Sequence, residues 1–189
     1  MRGPVLLLLL ASFVSCTRAA PGRAPSSIGA ASGKTHEMRE RLELVLAAME
    51  HKPGAPSIES GIVQQAIEVL DESPDATYLA IQDFLPTIDP ARVSARQFLV
   101  GYAAKLPVDR NERMKLLSAE VMRPVEESAQ AGPSVMALQR IMELDPDGAR
   151  SESVVRLAAS SHKDGDTRKA LLKAFLSKYP GRASALGID

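Results

Sequence analysis

The residue types that most often carry chemistry are scarce in this chain of 189 residues. It contains one cysteine, Cys16, and three histidines, His36, His51 and His162. A single cysteine cannot form an internal disulfide, and it is too few for a structural zinc site built from several cysteines. No two histidines have the i, i+4 spacing that places two metal ligands on one helix face. The sequence therefore signals no metal site, and we expect no cofactor.

Two short segments resemble ion-binding loops, and both depart from the family pattern. The segment from Gly29 to Thr35 resembles a phosphate-binding loop, but it has one residue too few between its glycines and no strand before it. Residues 143–148 resemble the first half of a calcium loop, but Val154 stands where that loop ends in glutamate. We interpret the first segment as part of a spacer and the second as a turn.

Two further patterns could suggest catalysis. Ser160 and Lys163 have the Ser-x-x-Lys spacing of penicillin-binding serine enzymes, but the partner motifs of that family are missing. The polar end of a helix accounts for this segment, because Lys163 there favours the helix dipole. Glu126 and Glu127 are adjacent, which places them on different parts of a helix surface. We assign no catalytic residue and predict that the protein is not an enzyme.

The charge distribution argues against a nucleic-acid partner. The chain has 23 basic and 23 acidic residues, but its first 36 residues contain four basic residues and no acidic one. The remaining body therefore has 19 basic and 23 acidic residues and is mildly acidic. Phosphate binding depends on clustered Lys and Arg, and base stacking depends on aromatic side chains, which are only 4% of this chain.

The N-terminus has the layout of a secretory signal. Arg2 supplies one positive charge, and residues 5–15 form a short, almost wholly apolar run. The run is too short to span a bilayer, which requires about 20 apolar residues. A buried core helix is a poor alternative, because the run is apolar all round and leads into a polar stretch. We predict that residues 1–15 are a signal peptide for export.

The residues around Cys16 resemble the lipobox of bacterial lipoproteins. In Phe13-Val14-Ser15-Cys16, small residues lead to the only cysteine of the chain, although that family usually has leucine at the position of Phe13. The resemblance implies that Cys16 is lipidated and becomes the mature N-terminus, with more than one acyl chain, which gives firm membrane attachment. Thr17 replaces the aspartate that usually retains such proteins at the inner membrane, so the resemblance favours the outer membrane.

An ordinary signal-peptidase site is the alternative. Cleavage near Thr17-Arg18-Ala19 or Ala20 would release a soluble secreted or periplasmic protein. In either case residues 17–33 are rich in Pro, Gly, Ser and Ala, and they cannot bury enough surface to offset the entropy of ordering them. We assign 16–33 to the lipidated cysteine and a flexible linker. As a random coil, this linker would reach roughly 20–25 Å.

From residue 34 onward, apolar side chains recur at spacings of three and four, which predicts helices that bury one face. Turn residues divide this pattern into about eight segments. The interruptions lie at 51–54, 73–75, 86–90, 109, 124, 132–133, 145–148, 164–166 and 180–181, where Pro124 should kink or end one helix and Gly132-Pro133 should open the next. Ser57, Asp89, Asp109 and Ser151 are the candidate N-caps, and Glu112 completes a capping box with Asp109. No strand pattern is present, so 34–189 is predicted to be one all-α domain.

Short connections make neighbouring helices antiparallel and favour an α-solenoid of helix pairs. The last quarter resembles a tetratricopeptide repeat, because Val154, Leu157 and Ala158 match its first helix and Ala170 and Ala174 its second. A HEAT-like stack and a compact orthogonal bundle are the alternatives, because no strict period runs through residues 34–144.

These features together predict a non-catalytic lipoprotein of the cell envelope. Its helical body would bind another envelope protein or act as a scaffold. The first alternative is a secreted soluble inhibitor or immunity-type protein, and the second is an envelope hydrolase that uses carboxylates from distant helices. The sequence does not indicate an oligomeric state.

Overall fold

A computed structural model describes residues 28–50 and 58–186 of the chain. The signal-like run, Cys16, most of the linker, His51 and Ser57 lie outside these residues. The described part is all-α and contains no strand, which confirms the predicted class. Its eight α-helices are α1 (Ile28–Met49), α2 (Ser60–Glu72), α3 (Pro74–Phe84), α4 (Val93–Lys105), α5 (Arg110–Val121), α6 (Gly132–Leu144), α7 (Ala149–Ser161) and α8 (Gly165–Lys178).

The first helix begins earlier than the sequence suggested. α1 starts at Ile28 and so includes 28–33, which the sequence analysis placed in the flexible linker. The segment that resembled a phosphate-binding loop is therefore helical. The glycines in this segment do not interrupt the helix, and from residue 32 onward, where the side chains are described, Met38 is the first buried one.

Several predicted helix ends are confirmed. The carboxylate of Asp109 accepts hydrogen bonds from the backbone N–H groups of Asn111 and Glu112, as an N-cap does. Asp164 caps α8 in the same way, and α6 begins with Gly132 and Pro133. Pro residues suit the first turn of a helix, where their missing N–H would have no partner.

Two predicted caps are wrong. Asp89 does not start a helix, because its carboxylate accepts from the N–H of Ala91 and the chain makes a turn before α4 begins at Val93. Ser151 lies inside the first turn of α7, whose N-cap is Gly148. The backbone N–H of Ser151 is instead bonded to Asp145, whose carboxylate does the capping from outside the helix.

The helices pack mainly on their neighbours along the chain. α1 packs on α2 and α3, and α6 packs on α4, α5, α7 and α8. Each large helix–helix interface therefore joins elements that are adjacent or separated by one helix. This order is the one expected of paired helices with short connections.

The side chains buried at these interfaces form one continuous core. Its fully buried large apolar side chains are Met38, Leu42, Leu46, Leu70, Ile81, Leu99, Leu117, Leu138, Ile141, Leu171 and Phe175. At about 1.5–3 kcal/mol for each fully buried large side chain, apolar burial is the main stabilising term for this chain, which has no disulfide.

A buried ion pair joins the middle helices. Arg96 of α4 and Glu120 of α5 are 2% and 1% exposed, and their nitrogen and oxygen atoms are 2.5 Å apart. Arg96 also donates to the backbone carbonyls of Leu85 and Ile88, so one guanidinium ties the turn after α3 to α4 and α5. Glu120 also accepts from the partly exposed Arg123 over 2.9 Å, so the buried pair is joined at one edge to the surface after α5.

The C-terminal segment closes over the connection between α6 and α7. The hydroxyl of Tyr179 donates to the carbonyl of Asp145 over 2.7 Å. Arg182 pairs with Glu152 over 2.5 Å and donates to the carbonyl of Asp147. These contacts hold the start of α7 in place, and the candidate site described next depends on that placement.

Candidate functional site

An open groove with a volume of about 650 Å³ lies between α5 and α7. We call it the α5–α7 groove. It is lined by Asn111, Met114, Lys115 and Ser118 of α5 and by Ala149, Arg150, Ser153 and Val154 of α7. This volume falls in the range of ordinary ligand sites, but the groove is open to solvent along its length.

The two helices that form the groove run in the same direction. Asn111 and Arg150 each lie in the first turn of their helix, and the guanidinium of Arg150 donates to the side-chain oxygen of Asn111 over 3.1 Å. The helices follow this course because each is paired with a neighbour on its other side, α5 with α6 and α7 with α8. They contact each other less extensively than those neighbours, and the groove lies between them.

The groove has an apolar floor and small walls. Met114 is 5% exposed, and Val154 is partly buried and packs against the core. The walls carry short side chains, those of Ala149, Ser153 and Ser118. A bound protein segment could therefore approach the backbones of both helices closely. A groove of this shape can receive an apolar side chain of a binding partner between its two helices.

The charges at the groove are mostly paired. Lys115 contacts Glu112 at 2.5 Å, and the resulting hydrogen bond and charge attraction raise the pKa of the lysine. Glu152 has its pKa lowered, chiefly by the hydrogen bond from Arg182 and by the nearby positive charges of Arg182 and Arg156. Arg150 is different: among the described residues, no carboxylate lies within ion-pair distance of its guanidinium.

An exposed apolar side chain extends this surface along α7. Leu157 is 57% exposed, the highest value among the large exposed hydrophobic residues of the described part. It lies in a second depression of about 640 Å³, which shares Ser153 with the α5–α7 groove. The groove and the outer side of α7 are therefore one continuous surface, with Arg150 near one end and Leu157 near the other.

A smaller groove lies between α4 and α6. Its volume is about 360 Å³, and its lining includes Phe98, Tyr102 and Met49. The two aromatic rings stack with centroids 5.5 Å apart. The hydroxyl of Tyr102 donates to Asp71 over 2.5 Å, and burial together with this bond raises its pKa. Because the aromatic rings pack on each other and on the core, this groove offers less open space than the α5–α7 groove.

The histidines do not come together in the structure. His162 is 4% exposed, and its Nε2–H donates to the carbonyl of Val121 over 2.8 Å. His36 is an exposed residue of α1 beside Glu40. His51 lies outside the described residues. Within the described ranges, no group of three or more His, Cys, Asp or Glu residues could hold a metal ion.

The other sequence candidates serve local structure. The hydroxyls of Ser160 and Ser161 donate to the carbonyl of Leu157, as expected near the end of a helix. Asp145 accepts from the backbone N–H and the hydroxyl of Ser151; burial alone would raise its pKa, but these bonds outweigh it and the pKa is lowered. The segment 143–148 is a turn, as predicted.

Glu126 and Glu127 are not on a helix, which corrects the sequence expectation. α5 ends at Val121, and both glutamates are exposed in the connection to α6. Pro124 explains the difference, because the residue before a proline is pushed away from helical geometry.

The Cys16 site lies outside the described residues. Within them, no helix combines the length and the apolar composition that crossing a bilayer requires. Sequence reasoning identified Val154 and Leu157 only as helix-packing positions, and it gave no role to Arg150 or Ser153. The one residue in the sequence that could have indicated this surface is Leu157, an apolar residue beside Arg156 on a helix with several serines. The sequence does not show that Leu157 is exposed, because its exposure depends on how α7 packs.

Comparisons with known proteins do not assign the chain to a family. No protein-family model matches it, and neither a curated protein nor a solved structure matches it. The N-terminal pattern and the geometry of the helical body are therefore the evidence that bears on function.

Proposed function

We propose that this protein is an exported lipoprotein, held on the cell envelope by lipid on Cys16, whose helical body binds another envelope protein without catalysing a reaction. The α5–α7 groove is the observation that carries the binding part of this proposal. It combines the apolar floor of Met114 and Val154 with the exposed Leu157 on the adjoining surface of α7, and apolar side chains grouped beside a groove are typical of interaction sites.

The anchor is supported by the N-terminal sequence. An apolar run after Arg2 leads directly to the only cysteine of the chain, and small residues precede that cysteine. Two or more acyl chains on one residue give stable attachment, whereas a single chain gives marginal attachment. A firm anchor and a binding surface together would concentrate the helical body beside its partner at the membrane, which raises the effective concentration for binding.

The groove supports binding of a protein segment better than binding of a small molecule. A small ligand is usually buried over most of its surface, and a groove open along its length cannot enclose one. Protein segments instead bind across open grooves through a few apolar anchors and a polar rim. The short side chains of Ser118 and Ser153 allow such a segment to approach closely.

Site-specific photo-crosslinking in the living envelope tests this function. A photoreactive amino acid replaces Ser153, which lies in the groove, and in a matched strain it replaces Gln65, an exposed residue of α2. We expect a discrete protein adduct from position 153 and none of the same mass from position 65. Equal adduct patterns from both positions, or no adduct from position 153, would contradict a binding role for the groove.

A further inference from the structure

We infer that the segment bound in the α5–α7 groove is an amphipathic helix that places a carboxylate against Arg150 and apolar side chains along the line from Met114 to Leu157. This inference rests on the proposed binding function and specifies the chemistry of the partner. It follows from three features of this surface: an arginine without an acidic partner, the absence of a strand edge among the described residues, and the distance along α7 from Arg150 to the exposed Leu157.

The guanidinium of Arg150 has N–H donors left over that could bind a carboxylate. Its guanidinium has five N–H donors, and the one side-chain hydrogen bond that the structure gives it goes to the neutral amide of Asn111. The nearby acidic groups are already engaged: Glu112 with Lys115, and Asp109 with the N–H groups of its own helix. A planar guanidinium with open donors matches a carboxylate through two parallel hydrogen bonds.

The net negative charge of the helical body favours binding of an acidic partner at Arg150 over binding elsewhere on the surface. The chain from residue 37 onward has 19 basic and 23 acidic residues, so an acidic partner is weakly repelled by most of the surface. Attraction at Arg150 then fixes where along the groove the partner carboxylate lies. Electrostatic complementarity of this kind contributes register and specificity more than affinity.

The geometry favours a helical partner over an extended one. Strand addition requires an open sheet edge, and the described part of the chain contains no strand. Recognition of proline-rich segments uses grooves lined by aromatic rings, and no aromatic residue lines the α5–α7 groove. A groove between two helices with an apolar floor matches the remaining common mode, in which a partner helix inserts its apolar face.

The length of the groove sets the spacing on the partner. Leu157 is seven positions after Arg150 on α7, which is about 10 Å at 1.5 Å per residue. A partner helix lying along this line would contact it through roughly two turns. We therefore expect an Asp or Glu near Arg150, with apolar residues three or four and seven positions away on the same face.

The test keeps the photoreactive residue at position 153 and varies the charge at position 150. Arg150→Glu should lower the adduct yield roughly five- to tenfold, because one attractive pair is replaced by a repulsive one. Arg150→Lys keeps the charge and should retain most of the adduct. The matched control is Lys173→Glu, an exposed residue of α8, which makes the same change in net charge and should leave the yield unchanged.

Mass spectrometry of the adduct identifies the partner peptide. The inference expects that peptide to contain an acidic residue three to seven positions from at least one large apolar residue, in a helical segment. An adduct from position 153 whose yield is the same in Arg150→Glu would overturn the acidic partner while leaving the binding function intact. Loss of the adduct in the Lys173→Glu control would also overturn it, because the effect would then be one of net charge.

Discussion

At the scale of single residues, Asp145 shows how one buried carboxylate organises a turn. Its Oδ2 atom accepts from the backbone N–H of Ser151 over 2.7 Å and from the Ser151 hydroxyl over 2.9 Å. Its own carbonyl accepts from the hydroxyl of Tyr179. The residue therefore joins the end of α6, the first turn of α7 and the C-terminal segment.

We predict that Asp145→Asn lowers the free energy of unfolding at pH 7 by about 1–2 kcal/mol, the usual cost of losing a charged cap. The folded-state pKa of Asp145 is lowered, so its contribution is present above the unfolded value of 3.8 and is lost as the pH falls through the folded-state pKa. The difference between wild type and variant should therefore shrink on acidification, as measured by urea unfolding at pH 7 and at pH 3. An equal difference at both pH values would contradict this role.

Residue identity predicted some contacts and not others. The spacing identified Asp109 as a real N-cap, because capping requires only neighbours within one turn. The carboxylate of Glu112 contacts Lys115 instead of completing the predicted capping box. The same reasoning failed at Asp89, where the chain makes a turn before α4 begins and the carbonyl of the adjacent Ile88 accepts a buried hydrogen bond from Arg96. A contact between residues on two elements overrides a local preference, and one sequence does not reveal it.

At the scale of elements, the start of α7 depends on a glycine. Gly148 has a φ of +73°, in the left-handed region that other residues rarely adopt. A Cβ atom built on Gly148 would also lie 3.0 Å from the ring of Tyr179. The positive φ of the turn and the closeness of the Tyr179 ring thus each favour glycine at position 148.

We predict that Gly148→Ala destabilises the protein by about 1–3 kcal/mol, since it adds both backbone strain and a clash. Gly165→Ala is the matched control, because Gly165 begins α8 and the nearest atom to its added Cβ, on Arg168, is 3.7 Å away. Thermal unfolding should show a lower midpoint for the first variant and little change for the second. Similar midpoints for both variants would show that the Gly148 backbone relaxes without cost.

The helices themselves were largely predictable, whereas their start points were less so. Apolar spacing indicated about eight helices, and eight are present in the described residues. The first boundary was misplaced because composition alone suggested a linker through residue 33, while α1 begins at Ile28. Small residues such as alanine favour helix as well as loops, so their abundance does not distinguish the two.

At the scale of the whole molecule, the α5–α7 groove could not be derived from the sequence. Its two walls are separated by α6 along the chain, and they meet only because that helix packs on both of their elements. Sequence periodicity identifies which side of a helix is apolar, but it does not show which apolar residues stay uncovered. Leu157 matched a packing position and is nevertheless exposed.

The proposed lipid anchor and the α5–α7 groove would act together. A helical body with an open apolar surface gains from being held beside its partner, since tethering replaces a bimolecular encounter by a local one. We therefore propose that Cys16 is the lipidated end of the mature chain and holds this body on a membrane.

The intact mass of the mature protein, measured from membranes beside the Cys16→Ala variant, tests this proposal. We expect a chain that starts at Cys16 with the added mass of acyl groups, and a variant that is neither processed at this position nor held on the membrane. An unmodified chain that starts near Ala20 or Pro21, with unaltered processing of Cys16→Ala, would contradict it and identify a diffusible protein instead.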